Sequence, residues 1–152
     1  MLYKIASNLY TRYVKGTENG AVVQDVQIFL CNLTQAVMKG IGCNCVRAYI
    51  GTRALKHVYD KRPAEEFDFL VDNIHRLVKY PDRVYRNKGG KRGDFIFVKK
   101  LKNENYICSL QEVMKEYNSR RCEIATFFRV RKESYLASYD LLWEWKGGEP
   151  SS

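Results

Sequence analysis

The sequence predicts an α+β domain in which N-terminal helices precede an antiparallel sheet of four or five strands and a C-terminal helix ends the fold. Three observations support this. The 152 residues suit one domain that can bury a real core. Apolar residues recur every three or four positions as far as Pro81. From Asp82 onward the period changes to two, as in half-buried strands. Helices followed by successive strands indicate an α+β fold.

The first 40 residues are expected to form a helical hairpin. The first apolar stripe includes Leu2, Ile5 and Leu9, and the segment 15–20 is a plausible turn. A second stripe follows with the same spacing: Val22, Val26, Phe29, Leu30, Leu33 and Val37. Glycines at 40 and 42 are typical of a helix end. Residues 1–44 are therefore predicted to be a helical extension that packs on the main domain.

Residues 45–81 predict one strand and two helices. The strand spans 45–50, and Thr52 then suits the N-cap of a helix over 53–61, because its hydroxyl can accept a backbone N–H. Pro63 suits the first turn of the next helix. That helix has an apolar stripe from Phe67 to Val78 and should end at Pro81.

The last part of the chain predicts the remaining strands and a closing helix. Alternating residues indicate strands over 83–86, 94–101, 105–113 and 122–130, followed by a helix over 133–145. The main domain would then span residues 45–145, with 146–152 as a loose tail.

The positive charge is concentrated in one segment. The chain has a net charge of +9, and residues 83–132 contain 14 Lys and Arg against five Asp and Glu. The remaining 102 residues therefore hold 12 charges of each sign (26 minus 14 and 17 minus five). Localised positive charge predicts a polyanion such as RNA as partner, because each cation that neutralises a phosphate releases a counterion. A solvated basic face without a partner is the alternative.

Metals, cofactors and membranes are not expected from the sequence. The five cysteines are odd in number and scattered, and Cys43 and Cys45 are too close for a usual zinc pair. A zinc site would need Cys108 and Cys122 as a distant second pair, so buried reduced thiols are predicted instead. No phosphate-cradling, dinucleotide or HExxH motif is present. With neither a signal peptide nor a membrane-spanning run, a cytoplasmic protein is expected.

The chain has two histidines, the side chains best suited to move protons near neutral pH. His57 directly follows Lys56, a cation that could contact phosphate, whereas His75 lies beside the apolar Ile74. Taken alone, each histidine is more often a residue at the boundary of the core than a catalyst. The neighbouring lysine favours His57 as the candidate acid or base.

Four short motifs in the sequence resemble those of known proteins and occur in the same order. They are 54–58 (ALKHV), 80–84 (YPDRV), 125–128 (ATFF) and 135–136 (YL). Together, residues 45–145 resemble the phage-associated branch of the barnase–EndoU–colicin–RelE-like nuclease superfamily, and also BrnT-like and colicin-D-like ribonuclease toxins. The resemblance implies a metal-independent endoribonuclease acting on RNA, with tRNA among the substrates to consider. A cytosolic nuclease must be restrained, so an acidic inhibitor protein that meets the basic face, such as an antitoxin or immunity protein, is a second expected partner.

The resemblance also implies roles for individual residues. In such enzymes the RNA 2′-hydroxyl attacks the adjacent phosphorus, and cations stabilise the developing charge. The catalytic set would be Lys56, His57, Thr126 and Tyr135. The RNA-binding set would be Arg86, Lys88, Lys91, Arg92, Lys99, Phe128 and Arg129, with Phe128 stacking on a base. No metal ligand is assigned. A non-catalytic RNA-binding or ribosome-associated module on the same fold is the alternative, and a domain that meets an acidic protein partner is a third.

Overall fold

A computed structural model describes residues 4–87, 93–115 and 119–147. Its helices are α1 (Ile5–Tyr13), α2 (Gln35–Ile41), α3 (Thr52–Lys61) and α4 (Ala64–Lys79). Its strands are β1 (Gln27–Asn32), β2 (Arg47–Gly51), β3 (Arg83–Arg86), β4 (Phe95–Leu101), β5 (Glu104–Lys115), β6 (Ser119–Arg129) and β7 (Asp140–Glu144). A 3₁₀ turn, Glu133–Leu136, lies between β6 and β7.

All seven strands belong to one mixed sheet in the order β1-β2-β6-β5-β4-β3-β7. Only the β2–β6 pair is parallel among the described strands, and the other neighbours run antiparallel. The predicted α+β class is therefore confirmed, as are α3, α4 and the strands predicted near β2 to β6. The prediction of a purely antiparallel sheet of four or five strands is wrong.

The predicted second helix of the N-terminal hairpin is wrong, because residues 27–32 form the edge strand β1. A bulge between Phe29 and Cys31 interrupts its pairing with β2, and the adjacent Leu30 and Cys31 are both buried. Two successive buried residues break strict alternation and imitate a helical stripe. Only the short α2 is helical in this region, and it begins where the Thr34 hydroxyl accepts the Val37 N–H at 3.3 Å.

The predicted C-terminal helix over 133–145 is also wrong. The segment forms the 3₁₀ turn and then β7, which pairs antiparallel with β3 and covers what would otherwise be an exposed sheet edge. Trp143 pairs with Val84 and packs against the main core, whereas Leu141 stays 50% exposed. Pairing with an available strand outweighed the local helical spacing of the apolar residues.

The sheet separates two groups of apolar residues. Helices α1, α3 and α4 cover one face, here called the helical face, where residues such as Phe67, Phe97 and Phe127 are fully buried. The opposite face, here called the open face, holds a smaller cluster around Ile96 and Val98. The predicted boundary between residues 44 and 45 lies between the paired strands β1 and β2. Residues on both sides of that boundary therefore share one sheet and one core.

Candidate nucleic-acid interface

Lys56, a predicted catalytic residue, is enclosed by its own fold. Its side chain is 6% exposed, and Nζ donates to the Thr17 hydroxyl at 2.9 Å, the Glu18 carbonyl at 2.6 Å and Asp60 Oδ1 at 2.8 Å. These contacts use all three ammonium donors. In this conformation Lys56 attaches the turn after α1 to α3, and it has no donor left for a phosphate.

Asp60 is the acidic partner in the same network, and His57 lies close to it on α3. The backbone N–H of Gly20 also donates to Asp60, at 3.0 Å. Burial acts to raise the pKa of Asp60, but the bonds from Lys56 and Gly20 and the proximity of His57 lower it overall. His57 is half-buried. Lys56 of the predicted Lys-His pair therefore belongs to the contact between the turn and α3, and His57 lies near the Asp60 carboxylate of the same network.

The other two predicted catalytic residues lie near the end of β6. Thr126 is 8% exposed and stands opposite Ser109 of β5. Tyr135 is 39% exposed, and its ring meets Phe128 edge-on at a centroid distance of 5.6 Å. Burial, with a further contribution from Tyr139, raises the pKa of Tyr135 to about 12, so its hydroxyl remains protonated at neutral pH. The structure thus brings Tyr135 and Phe128 together. Thr126 lies on β6, two residues before Phe128.

Two of the predicted RNA-binding cations already contact acidic partners. Lys99 Nζ donates to the Tyr80 carbonyl at 2.7 Å and lies 3.4 Å from the Asp82 carboxylate. Arg129 lies 3.5 Å from Glu104. An RNA phosphate would have to compete with these carboxylates, so neither Lys99 nor Arg129 is the strongest candidate for binding a phosphate.

The remaining predicted RNA-binding cations are Arg86, at the end of β3, and three residues between β3 and β4 in the sequence. The Arg86 guanidinium lies 5.6 Å from the centre of the Phe95 ring. Lys88, Lys91 and Arg92 are outside the described residues. Their predicted contacts with phosphate stay predictions.

The structure assembles a cluster that the sequence analysis did not identify. The Phe29 and Tyr49 rings meet edge-on at 5.9 Å, the Arg47 guanidinium lies 6.0 Å from Phe29, and the Arg121 guanidinium lies 4.2 Å from Tyr49. We call Phe29, Arg47, Tyr49 and Arg121 the platform. Phe29 is 37% exposed, Arg47 is exposed, and the other two are partly exposed. In the platform, two adjacent aromatic rings are flanked by two guanidinium groups across β1, β2 and β6.

Further cations surround the platform. A groove of about 310 Å³ beside it is lined by Asn44, Val46, Arg47, Tyr49, Lys115, Arg120 and Arg121. Two carboxylates lie next to these cations: Glu123 is 2.9 Å from Arg121 Nε and 3.2 Å from Lys115, and Glu112 is 3.7 Å from Arg120. Four basic residues therefore line the groove, with two carboxylates beside them.

A second aromatic–guanidinium pair lies farther along β6. The Arg62 guanidinium is 4.5 Å from the centre of the Phe128 ring, next to Tyr135. The register shift between Ser109 and Leu110 accommodates one extra residue in β6, so Phe128 faces the same side of the sheet as Arg121. Seven residues of strand separate the two pairs by roughly 20 Å.

Part of the platform could have been found from the sequence. The predicted strand over 45–50 alternates, which already sets Arg47 and Tyr49 on one face. Phe29 was assigned to a helix, and the predicted strand began at Cys122, one residue after Arg121. Because the three strands lie far apart in the chain, only the sheet order brings their side chains together.

Comparison with known proteins adds no relative. No family model, no curated protein and no solved structure matches this chain. Within the described residues, none of the helices is both long and apolar enough to cross a membrane.

Proposed function

We propose that the chain binds single-stranded RNA by stacking unpaired bases on the open face of its sheet. The observation that carries the proposal is the Arg121 guanidinium lying 4.2 Å from the Tyr49 ring on a partly exposed sheet surface. Every base has a flat π-face, so aromatic rings and guanidinium planes accept bases with little regard to sequence. Sheets with exposed aromatic residues bind single strands in this way.

The two stacking positions suggest how a strand would run. The platform lies at one end of β6 and the Arg62–Phe128 pair at the other, on the same face. Stacking contributes about 1–3 kcal/mol per base. Two positions therefore supply roughly 2–6 kcal/mol, and the charge surplus of residues 83–132 supports the phosphate contacts that would add to it. Duplex RNA should bind less well, because its bases are already stacked on one another.

A matched pair of tyrosine variants tests the proposal. Tyr49→Leu removes the ring under Arg121, whereas Tyr13→Leu removes the ring of a similar pair on α1, where Arg12 lies 5.3 Å from Tyr13. With a short labelled RNA and fluorescence anisotropy, Tyr49→Leu should raise Kd by about 5- to 150-fold, the equivalent of one lost stack. Tyr13→Leu should leave Kd within about twofold of the original protein. Equal effects of the two variants would rule the platform out.

The salt dependence tests the charged part separately. Arg47→Gln should reduce the slope of log K against log salt by about 0.7, the value for one phosphate contact on a single strand. Arg53→Gln is the control. The Arg53 side chain is 80% exposed on α3, away from the platform, and its guanidinium lies 3.9 Å from the Asp25 carboxylate. A slope that changes equally in both variants would show that the charge acts without a defined site.

Metal-independent cleavage of the bound RNA is a second candidate function. The observation that favours it is Tyr135, whose ring meets the Phe128 ring edge-on at 5.6 Å, with the Arg62 guanidinium 4.5 Å from the centre of the Phe128 ring. A cation and a hydroxyl that can donate a hydrogen bond, next to a base-stacking ring, could stabilise the charge that develops on a phosphate during cleavage. His57 stays the predicted acid or base, and an acidic inhibitor protein stays a predicted partner.

Cleavage is tested with RNA, a chelator and two histidine variants. The wild type should cut in EDTA and leave a 2′,3′-cyclic phosphate, and a 2′-deoxy sugar at the cut site should resist. His57→Ala should slow cleavage by about 10² to 10⁴, the usual contribution of a proton-transfer group, whereas His75→Ala should not. An intact fold that binds RNA without any cleavage would leave binding as the function.

A further inference from the structure

Three buried thiols meet on the helical face, outside the proposed RNA site. Cys43 and Cys45 lie between α2 and β2, and Cys122 belongs to β6. The Cys43 sulfur is 2.9 Å from the Cys45 sulfur and 3.8 Å from the Cys122 sulfur, and Cys45 and Cys122 lie close enough for a disulfide. None of the three is more than 5% exposed. We call them the thiol cluster.

The fold positions this cluster through two local features. Gly42 ends α2 in the left-handed region, with φ at 68°, and so turns the chain towards β2. Residues 43 and 45 then direct both sulfurs to the same point, and the Cys45 N–H donates to the Cys43 sulfur at 3.4 Å. A backbone N–H of this kind stabilises negative charge on sulfur. Cys108, which the sequence analysis considered as a zinc ligand, is buried next to Cys31 instead.

An oxygen donor lies beside the sulfurs. Glu112 of β5 is the direct cross-strand partner of Cys122, so the two side chains share a face of the sheet. Burial and then the nearby Glu112 raise the pKa of Cys43 to about 11. Metal ligation requires the thiolate, so a bound cation would displace the thiol proton.

The number of sulfurs favours a metal ion over a simple disulfide. A disulfide between Cys45 and Cys122 uses two sulfurs and leaves Cys43 in contact with both but bound to neither. Thiolates held tetrahedrally around zinc at about 2.3 Å are about 3.8 Å apart. The Cys43–Cys122 distance of 3.8 Å already has this value, whereas the Cys45 sulfur lies closer to both of the others and would have to move away from them to admit the ion.

We propose that Cys43, Cys45 and Cys122 bind one Zn²⁺ ion as thiolates, with a Glu112 carboxylate oxygen as the fourth ligand. Binding releases three thiol protons to solvent and involves no change of oxidation state. Soft thiolate ligands select zinc over magnesium or calcium.

A metal ion at this site would stabilise the pairing of β2 with β6. The parallel β2–β6 pair has only two aligned positions, Ala48 with Cys122 and Tyr49 with Glu123. A metal ion held from both sides would strengthen this short pairing, which joins the β1–β2 hairpin to the rest of the sheet. The four ligands carry four negative charges and zinc carries two positive charges, so two negative charges remain. Arg120, 3.7 Å from Glu112, offsets one of them.

Cobalt(II) titration of the reduced, metal-free full chain tests the proposal. One equivalent should bind with the visible absorption of a tetrahedral ion and the near-ultraviolet absorption of thiolate ligation, and Zn²⁺ should displace it. At a urea concentration at which all five buried cysteines of the metal-free chain react with an alkylating reagent, bound zinc should also protect three of them. A wild-type chain that binds no cobalt after reduction would overturn the proposal, and so would zinc protection of no thiols.

Three variants separate the metal site from a disulfide. Cys43→Ala should weaken cobalt binding by about 100-fold or more, because the loss of a direct ligand exceeds the 10- to 100-fold effect of outer-sphere changes. Cys31→Ala, which removes a buried thiol outside the cluster, should bind normally. Glu112→Gln should weaken binding about tenfold or more. Unchanged affinity in Cys43→Ala would contradict the site, and unchanged affinity in Glu112→Gln would contradict the fourth ligand. If Cys43→Ala does not fold, the wild-type titration and alkylation decide.

Discussion

Replacing Lys56 with methionine separates a structural role from a catalytic one. Methionine keeps most of the buried apolar stem and removes the ammonium that contacts Thr17, Glu18 and Asp60. Breaking a fully buried ion pair costs about 3–5 kcal/mol. The Asp60 side chain is 14% exposed and keeps its bond from Gly20, which reduces this cost. We expect Lys56→Met to lower the free energy of unfolding by about 2–4 kcal/mol.

Urea unfolding measures this change directly, with Lys61→Met as the control. Lys61 is exposed on the same helix, so its replacement should change the unfolding free energy by no more than about 0.5 kcal/mol. The Lys56→Met effect should also depend on pH. The pKa of Asp60 is lowered in the folded state, so its stabilising contribution is present above the unfolded-state pKa and disappears as the pH falls through the folded-state pKa. The difference between wild type and Lys56→Met should therefore shrink in acid.

The refuting result is a variant that is stable but inactive. A loss below about 1 kcal/mol, together with abolished RNA binding or cleavage, would mean that the ammonium leaves its three partners to meet a phosphate. Lys56 would then have the catalytic role that the resemblance implies. A destabilised variant that still binds RNA when folded would support the structural role.

Three further substitutions test other parts of the fold. Glu66→Gln should destabilise by about 1–3 kcal/mol in thermal or urea unfolding, because it removes the charge of a buried carboxylate that forms an ion pair with the Arg131 guanidinium; a silent variant would contradict this. Gly40→Val should cost about 1–3 kcal/mol and change the tryptophan fluorescence, since a Cβ there would overlap the Trp143 ring; unchanged emission would contradict the packing. The pKa of His75 is lowered by burial and by a nearby lysine, so the neutral histidine stabilises the fold above its unfolded-state pKa of about 6.5, and that contribution disappears as the pH falls through its folded-state pKa. His75→Phe should flatten the loss of stability in acid, and an unchanged pH profile would argue against it.

Local sequence patterns correctly predicted the elements in which one period dominates. Helices α3 and α4 have strong three-and-four stripes bounded by Thr52 and the prolines at 63 and 81. Strands β4 and β5 lie where they were predicted, although each contains a run of at least four consecutive buried residues and does not alternate strictly. The α+β class followed from their order. The charge surplus in residues 83–132 is likewise a property of the sequence alone. These features depend on neighbours in the chain, so the chain itself is sufficient to reveal them.

The tertiary structure decided everything that depends on pairing between distant segments. Residues 27–32 and 140–144 became strands because β2 and β3 offered edges to pair with, and a bulge in β1 hid its alternation. The same pairing brought Arg121 over Tyr49 and placed Cys122 beside Cys43. It also enclosed Lys56, which looks available in the sequence, by docking the turn after α1 on α3. Sequence spacing predicts which side chains share an element, whereas the sheet order determines which elements meet.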